Sequence, residues 1–383
     1  MSAQIKSDLD QTSDLADVAS SLKGAQVLVT GGTGFIGGRL VERLLIECNA
    51  RPRVILRNYA RAASLARFGL DRIQLVKSSL ADPEAVEHAV RGCSVVFHCA
   101  YDYADRASNV TGISTLIRSC IRHRARLVHV STFGIYEPLP DGDLNEEMTP
   151  IRSGIPYSET KLDLEETVMA SVRTGDLDAV VVLPTIVYGP YGKAWTWNPA
   201  KRMITSGAPI LPAKGEGLCN AVYVDDVCQG MIRAAVTPLA RGRRYLLSAA
   251  EPVTWAAFYL SLANALGLSG LPTASNVELR GSETALKLLL GDRRLTNWGP
   301  FRLTKGILNV VSPSARAKLK VLYGRYVPRA HMPSPQLIAL FKAKCRVVID
   351  RARSELGYQP AYDFERGSRI TSEWLRWAIR PGK

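Results

Sequence analysis

Tyr157-Ser-Glu-Thr-Lys161 sets a phenol and an ammonium one turn apart on the same face of a helix, where both side chains reach one small volume. That pairing suits proton transfer to or from an oxygen. A free tyrosine titrates near pH ~10, too high for a base at neutrality, but a lysine about 4 Å away at an effective dielectric near 20 offers roughly 4 kcal/mol toward the phenolate. Desolvation takes back part of this, and a lowered phenol is the expectation. The apolar run ending at Val130 delivers Ser131 and Thr132, 26 residues before Tyr157, so a hydroxyl there is expected to hold a substrate oxygen while Tyr157 exchanges its proton. Tyr-x-x-x-Lys also occurs on ordinary exposed helices, so the pair gains its meaning from what surrounds it.

Val27-Leu-Val-Thr-Gly31-Gly-Thr-Gly34-Phe-Ile-Gly37-Gly-Arg-Leu40 reads as a buried strand, a glycine turn and a helix start. Gly31 and Gly34 let backbone approach a pyrophosphate, and Gly37 lets the helix pack close and aim its first N–H groups at that anion. Where such folds place an acid for the ribose hydroxyls, or an arginine for a 2′-phosphate, this chain has Arg57. Between Cys48 and Leu70 there is no Asp or Glu, while Arg51, Arg53, Arg57, Arg61 and Arg67 are present. Arg57 and Arg61 therefore predict NADP over NAD; arginines that merely solvate a helix are the alternative.

The elements that must carry these groups follow from short apolar runs. Arg53–Leu56, Ile73–Val76, Ser94–Ala100, Leu127–Val130 and Ala179–Leu183 alternate with helix-like segments, as in a parallel sheet covered on both faces. An α/β, doubly wound, Rossmann-like sheet is predicted over residues 23–190, after a flexible extension over 1–22. Residues 191–383 are read as a smaller C-terminal substrate lobe interleaved with the last sheet strands, with a strand candidate at Ala221–Val224 and a helix at Val227–Val236.

Thr30-Gly-Gly-Thr-Gly-Phe-Ile-Gly37, with glycines three and then three apart, resembles the fingerprint of the extended short-chain dehydrogenase/reductases, the NAD-dependent epimerase/dehydratases. The resemblance covers roughly residues 24–240, through Leu183–Pro190 and Asn220–Val227, and returns weakly at Ala352–Tyr358 and Trp374–Arg376. It implies cofactor contacts at Gly31, Gly34, Phe35, Ile36 and Gly37 and at the backbone of Ala100. It also implies that Ser131 orients the substrate oxygen, Tyr157 is acid or base, Lys161 also binds the nicotinamide ribose, and Asn109 supports the site. His98 is expected to be a packed strand-end residue.

Departures from the family narrow the substrate. The 4,6-dehydratases follow the catalytic serine or threonine with an Asp-Glu pair, where this chain runs Ser131-Thr-Phe-Gly-Ile-Tyr136, which argues against that activity. Ser79 replaces the Asp near the adenine, and Cys219 and Leu183 stand where sugar-nucleotide enzymes commonly carry arginine. An epimerase or keto-reductase of a nucleotide-activated sugar is the first expectation. A relative of the 3β-hydroxysteroid dehydrogenases or dihydroflavonol reductases, acting on a lipid or polycyclic substrate, is the second, and a non-catalytic cofactor-binding scaffold the third.

Composition bounds the partners. The chain has 383 residues, 46% of them hydrophobic, and a net charge of +14. Residues 271–383 hold 21 Lys and Arg against 8 Asp and Glu, with no acid between Arg293 and Ile349. That stretch suits a solvated face, peripheral contact with anionic membrane or a phosphorylated ligand, while no motif supports nucleic acid. Seven cysteines without paired metal-type spacing read as buried thiols in a reducing cytoplasm, with no metal site. A small-molecule substrate and a homodimer, paired as many relatives are, complete the expectation.

Overall fold

The computed structural model describes residues 18–69, 71–206, 211–212, 215–271, 273–274 and 334–379. Most of the expected N-terminal extension and of the basic stretch after Arg293 lies outside them. The chain divides into two units, one of residues 1–193, 220–252 and 345–370, the other of 194–219, 253–344 and 371–383.

The first unit is built on a seven-stranded sheet. In chain order its strands are β1 (Gln26–Thr30), β2 (Arg51–Leu56), β3 (Gln74–Lys77), β4 (Val95–His98), β5 (Arg126–Val130), β6 (Ala179–Pro184) and β7 (Arg244–Leu247). In space they run β7-β6-β5-β4-β1-β2-β3, every neighbour pair parallel. The order reverses direction beside β1, the switch point at which doubly wound sheets open a crevice beyond their strand ends. Val27, Leu28, Val29, Val96, Phe97, Leu127 and Val128 are fully buried, as strands covered on both faces must be.

Helices α1 (Phe35–Ile46), α2 (Pro83–Val90), α3 (Arg106–His123), α4 (Pro156–Arg173) and α5 (Val224–Val236) cover the sheet. Asp82 and Asp105 cap α2 and α3 by accepting from the N–H groups of Ala85 and Ser108. Helix α1 begins at Gly34 without a side-chain cap or an acidic residue in its first turn, leaving its first N–H groups to something else. The strand candidate at Ala221 forms, but over Ala221–Tyr223 and in a separate parallel pair with Ile186–Tyr188. The strand that completes the main sheet, β7, is as short as β3 and β4 but lies beyond the stretch where strands and helices alternate in the sequence.

In the second unit, Leu218–Cys219 pairs antiparallel with Val253–Thr254 ahead of the helix Trp255–Ala265. Trp255, Phe258, Tyr259 and Phe341 form its buried aromatic centre, and the Trp255 indole N–H donates to the Leu340 carbonyl at 3.2 Å. All seven cysteines are unbridged, six buried and Cys99 half-buried. No helix among the described residues is long and apolar enough to cross a membrane.

Candidate active site

The expected catalytic and cofactor residues lie in the first unit, and the C-terminal edge of its sheet gathers most of them, while Cys219 and Trp374–Arg376 belong to the second. Gly31 turns the chain at φ +69, and its N-terminal neighbour Thr30 ends β1. A Cβ added to Gly31 would stand 2.7 Å from the Ala100 nitrogen, and one added to Gly37 would stand 2.8 Å from the Gly31 carbonyl carbon. The Gly31 carbonyl accepts from Gly34 N–H at 2.8 Å. The result is a bare backbone cradle ahead of α1, with Phe35 and Ile36 in that helix's first turn. A dinucleotide pyrophosphate fits such a cradle in shape and in sign.

Ala100 closes the other side of the turn, its N–H donating to the Thr30 hydroxyl at 3.3 Å. His98 is the packed strand-end residue expected. Its Nδ1 lies 2.7 Å from the same hydroxyl and its ring stacks on His129 at 5.3 Å. Burial, assisted by the Lys161 charge, pushes its pKa down to about 3, so it stays neutral.

Helix α4 starts at Pro156 and therefore presents Tyr157 in its first turn and Lys161 in its second. The Lys161 ammonium is buried, donates to the Val130 carbonyl at 2.8 Å and lies 4.9 Å from the centre of the Tyr101 ring. Burial lowers its pKa to about 8, opposed by Cys99 and Glu165.

Two expectations change here. The Tyr157 phenol is not lowered: burial raises it, the neighbouring Tyr103 raises it further, and Thr132 only partly compensates. The ammonium expected to stabilise the phenolate is turned instead to the Val130 carbonyl and the Tyr101 ring. Second, the hydroxyl facing the phenol belongs to Thr132 rather than Ser131. Successive residues leaving a strand project to opposite sides, and Ser131 takes the inner side, beside the buried Glu165 carboxylate. Thr132 also accepts from Gly134 N–H at 3.1 Å, which fixes its rotamer.

A loop missed from the sequence frames the phenol. Tyr101 meets the Tyr157 ring edge-on at 5.1 Å, and Tyr103, 81% exposed, stacks on it at 5.6 Å. Asn109 holds this loop rather than reaching toward Tyr157: its Oδ1 accepts from Asp102 N–H at 2.8 Å, and its Nδ2 donates to the Asp102 and Asp105 carbonyls at 2.7 and 3.0 Å. Arg57 follows β2 and pairs with Asp102 at 2.6 Å. Arg61 is exposed on the short helical turn Tyr59–Ala62, which Asn58 caps. At Ser79 the hydroxyl is occupied within its own loop, accepting from Ala81 N–H at 3.2 Å.

Where a dehydratase would place its acid–base pair, Phe133 is buried and Gly134 offers no side chain; a Cβ there would lie 3.4 Å from the Ser158 and Thr132 hydroxyl oxygens. Asp225 and Asp226 are structural. Asp225 takes a two-pronged ion pair from Arg39 of α1, and Asp226 accepts from the Ala361 and Tyr362 N–H groups at 2.7 and 3.2 Å. Among the described residues no cluster of three or more His, Cys, Asp or Glu could hold a metal.

The chain is similar to proteins already known. A dTDP-glucose 4,6-dehydratase of Mycolicibacterium smegmatis is 31% identical over 245 residues, 58% of this chain and 72% of that one. A 2-alkyl-3-oxoalkanoate reductase of Shewanella oneidensis is 28% identical over 293 residues, covering 70% of this chain and 73% of its own. Among solved structures, an epimerase of Methanothermobacter thermautotrophicus superposes with a TM-score of 0.70 at 18% identity, over 95% of this chain and 96% of that one, a likeness of fold. The model of one sequence family matches residues 27–247, more than half of the 383. The chain is an enzyme of that family, the NAD dependent epimerase/dehydratase family.

Proposed function

We propose that the chain reduces a ketone to a secondary alcohol, or runs that chemistry reversibly as an epimerase, with Tyr157 as the proton carrier. The observation that carries this is geometric: on α4 the Tyr157 phenol stands one turn from the buried Lys161 and is framed by the Tyr101 and Tyr103 rings. A protonated phenol is a general acid, and an oxygen gaining charge as hydride arrives is what it would protonate. The Thr132 hydroxyl donates a second hydrogen bond to that oxygen. A nicotinamide dinucleotide, when bound, supplies or accepts the hydride. Gly31, Gly34, Gly37 and Ala100 would hold its pyrophosphate end, and Lys161 would bind its ribose. With no acid among residues 48–70, Arg57 and Arg61 favour a 2′-phosphate and hence NADP.

For the substrate, the Tyr101 and Tyr103 rings beside the phenol favour a ketone on an apolar or planar body, in line with the reductase relative. A keto-sugar of a nucleoside diphosphate is the second reading, favoured by the relative that acts on dTDP-glucose. Neither includes 4,6-dehydration, because Phe133 and Gly134 carry no acid or base. The test is oxidation of NADPH and NADH followed at 340 nm with a 2-alkyl-3-oxo acid, a dihydroflavonol and a nucleoside-diphosphate keto-sugar. Turnover of the first or second alone supports the apolar reading, and turnover of the third alone replaces it. Tyr157→Phe should lower turnover about 100-fold or more while dinucleotide affinity stays within about threefold. Full activity in that variant would remove Tyr157 from the chemistry.

A further inference from the structure

Arg57 and Asp102 stand on opposite sides of the glycine turn. Arg57 follows β2 directly and Asp102 lies in the loop after β4, and β1 runs between those two strands. All three are parallel, so their C-terminal ends share one edge. An ion pair from beyond β2 to beyond β4 must therefore cross over the end of β1, where Gly31 turns. The Arg57 Nη1 to Asp102 Oδ2 distance is 2.6 Å.

We infer that Arg57 and Asp102 form a clasp across the dinucleotide cradle, opening to admit or release the dinucleotide and closing over it in between. This rests on the reading of the cradle as a dinucleotide site.

The two halves are built differently. Asp102 is fixed: its Oδ1 accepts from Ala104 N–H at 3.0 Å, and both its backbone N–H and its carbonyl are bound by the Asn109 amide. Those contacts leave Oδ2 for Arg57. The Ala104 N–H first, and then the guanidinium, hold the carboxyl below its usual range, so it is ionised at neutral pH. Arg57 is the moving half, a long side chain 62% exposed. A fixed anion and a swinging cation make a latch whose opening costs one exposed, charge-assisted contact.

The clasp bears on the reaction. A reductase must exchange its dinucleotide at each turnover, so the latch would slow its product release. An epimerase regenerates its dinucleotide in place and gains from retention. Because the same loop carries Tyr101 and Tyr103, opening the clasp would also loosen the rings around the Tyr157 phenol.

The experiment is stopped-flow fluorescence of NADH and of NADPH on the whole chain, reading association and dissociation rates in wild type, Asp102→Asn, Arg57→Gln and the double variant. Arg57 is exposed and Asp102 half-buried, and circular dichroism checks that each variant is folded. The clasp predicts release of NADH about three- to tenfold faster in each single variant, with the double no faster than either. It also predicts that wild-type release quickens toward that of the variants as salt screens the pair. Unchanged NADH release in Asp102→Asn overturns the clasp, as do additive effects in the double variant. Tighter NADPH binding in Asp102→Asn with NADH release unaltered also overturns it, leaving Asp102 as a charge that opposes the 2′-phosphate. Failure of wild type to bind either dinucleotide would sink the reading of the cradle and the clasp with it, whereas normal binding at unaltered rates sinks the clasp alone.

Discussion

The Gly31 turn and the Tyr101–Asp105 loop flank the same crevice, yet they are held by opposite means. The turn is fixed by what cannot fit: a methyl group at Gly31 would press on the Ala100 and Cys99 backbone, and one at Gly37 on the Gly31 carbonyl. The loop is fixed by what it binds, namely the Asn109 amide, the Ala104 N–H and the Arg57 guanidinium. Steric exclusion gives a rigid anion cradle with one allowed geometry. Polar stitching at a surface gives a segment that can let go at a cost of a few hydrogen bonds. On the proposed reading, a site that holds a pyrophosphate in place and still admits and releases ligands benefits from having one of each.

The largest test of this contrast falls on the turn. Gly31→Ala forces a side chain into φ +69 and into the Ala100 backbone. Strain and overpacking together should cost ~2–5 kcal/mol of stability, measured by denaturant unfolding, and abolish measurable dinucleotide binding. A variant that binds normally would mean the turn relaxes as readily as the loop, and the contrast would fail.

Lys161 touches the loop from below, its ammonium 4.9 Å from the centre of the Tyr101 ring. Its native pKa of about 8 lies below the ordinary value of 10.5. Between these values the unfolded chain holds a proton that the native chain has lost, so stability rises with pH there. Below about 8 the full cost of burying the charge is present. Lys161→Met should therefore stabilise the protein near pH 7 by roughly 1–3 kcal/mol, less what is lost with the Val130 hydrogen bond. That advantage should shrink as pH rises from about 8 to 10.5. Parallel unfolding curves at pH 7 and pH 10 decide it; a constant difference between the proteins would mean the ammonium is not desolvated.

Asn109→Ala strips three hydrogen bonds from the loop at once. The expected loss is ~1–2 kcal/mol in stability, with faster amide exchange confined to the loop and the start of α3. Exchange that spreads into β1 and the Gly31 turn would show that the two regions are one cooperative unit.

What the sequence disclosed follows the same division. Glycines that no other residue can replace, and a phenol and an ammonium on one helical face, are legible because sterics and the helical period act over a few residues. The parity at a strand's end is not written so locally. Ser131 and Thr132 are both small hydroxyl residues after Val130, and the backbone beyond β5 decides which one meets Tyr157. Nor did spacing indicate that Asn109 would bind backbone, or that Arg57 would find its carboxylate 45 residues away, across the intervening strand. The sheet was legible strand by strand where short apolar runs alternate with helix-like segments. β7, at Arg244–Leu247, comes after that alternation breaks, and the better-looking run at Ala221 pairs with Ile186–Tyr188 instead.

The smallest effect belongs to Tyr103. Its ring lies flat on Tyr157, 14° from parallel, yet 81% of the residue is exposed, so little area is removed from water by the stack. Tyr103→Ala should change stability by no more than ~0.5 kcal/mol. Its influence on the phenol should be the larger signal, because Tyr103 stands next after burial among the causes that raise it. Without Tyr103 the repulsion between two ionising phenols is gone, and the Tyr157 phenol titrates closer to its ordinary value. An ultraviolet pH titration, taken as the difference from a Tyr103→Ala/Tyr157→Phe double variant, isolates this one group. A stability loss matching that of Asn109→Ala would break the comparison, since the loop would then be held by ring stacking rather than by the amide. A phenol that moves down while stability holds would sharpen it: the stitched loop would keep its shape without the ring, and Tyr103 would serve to keep Tyr157 protonated.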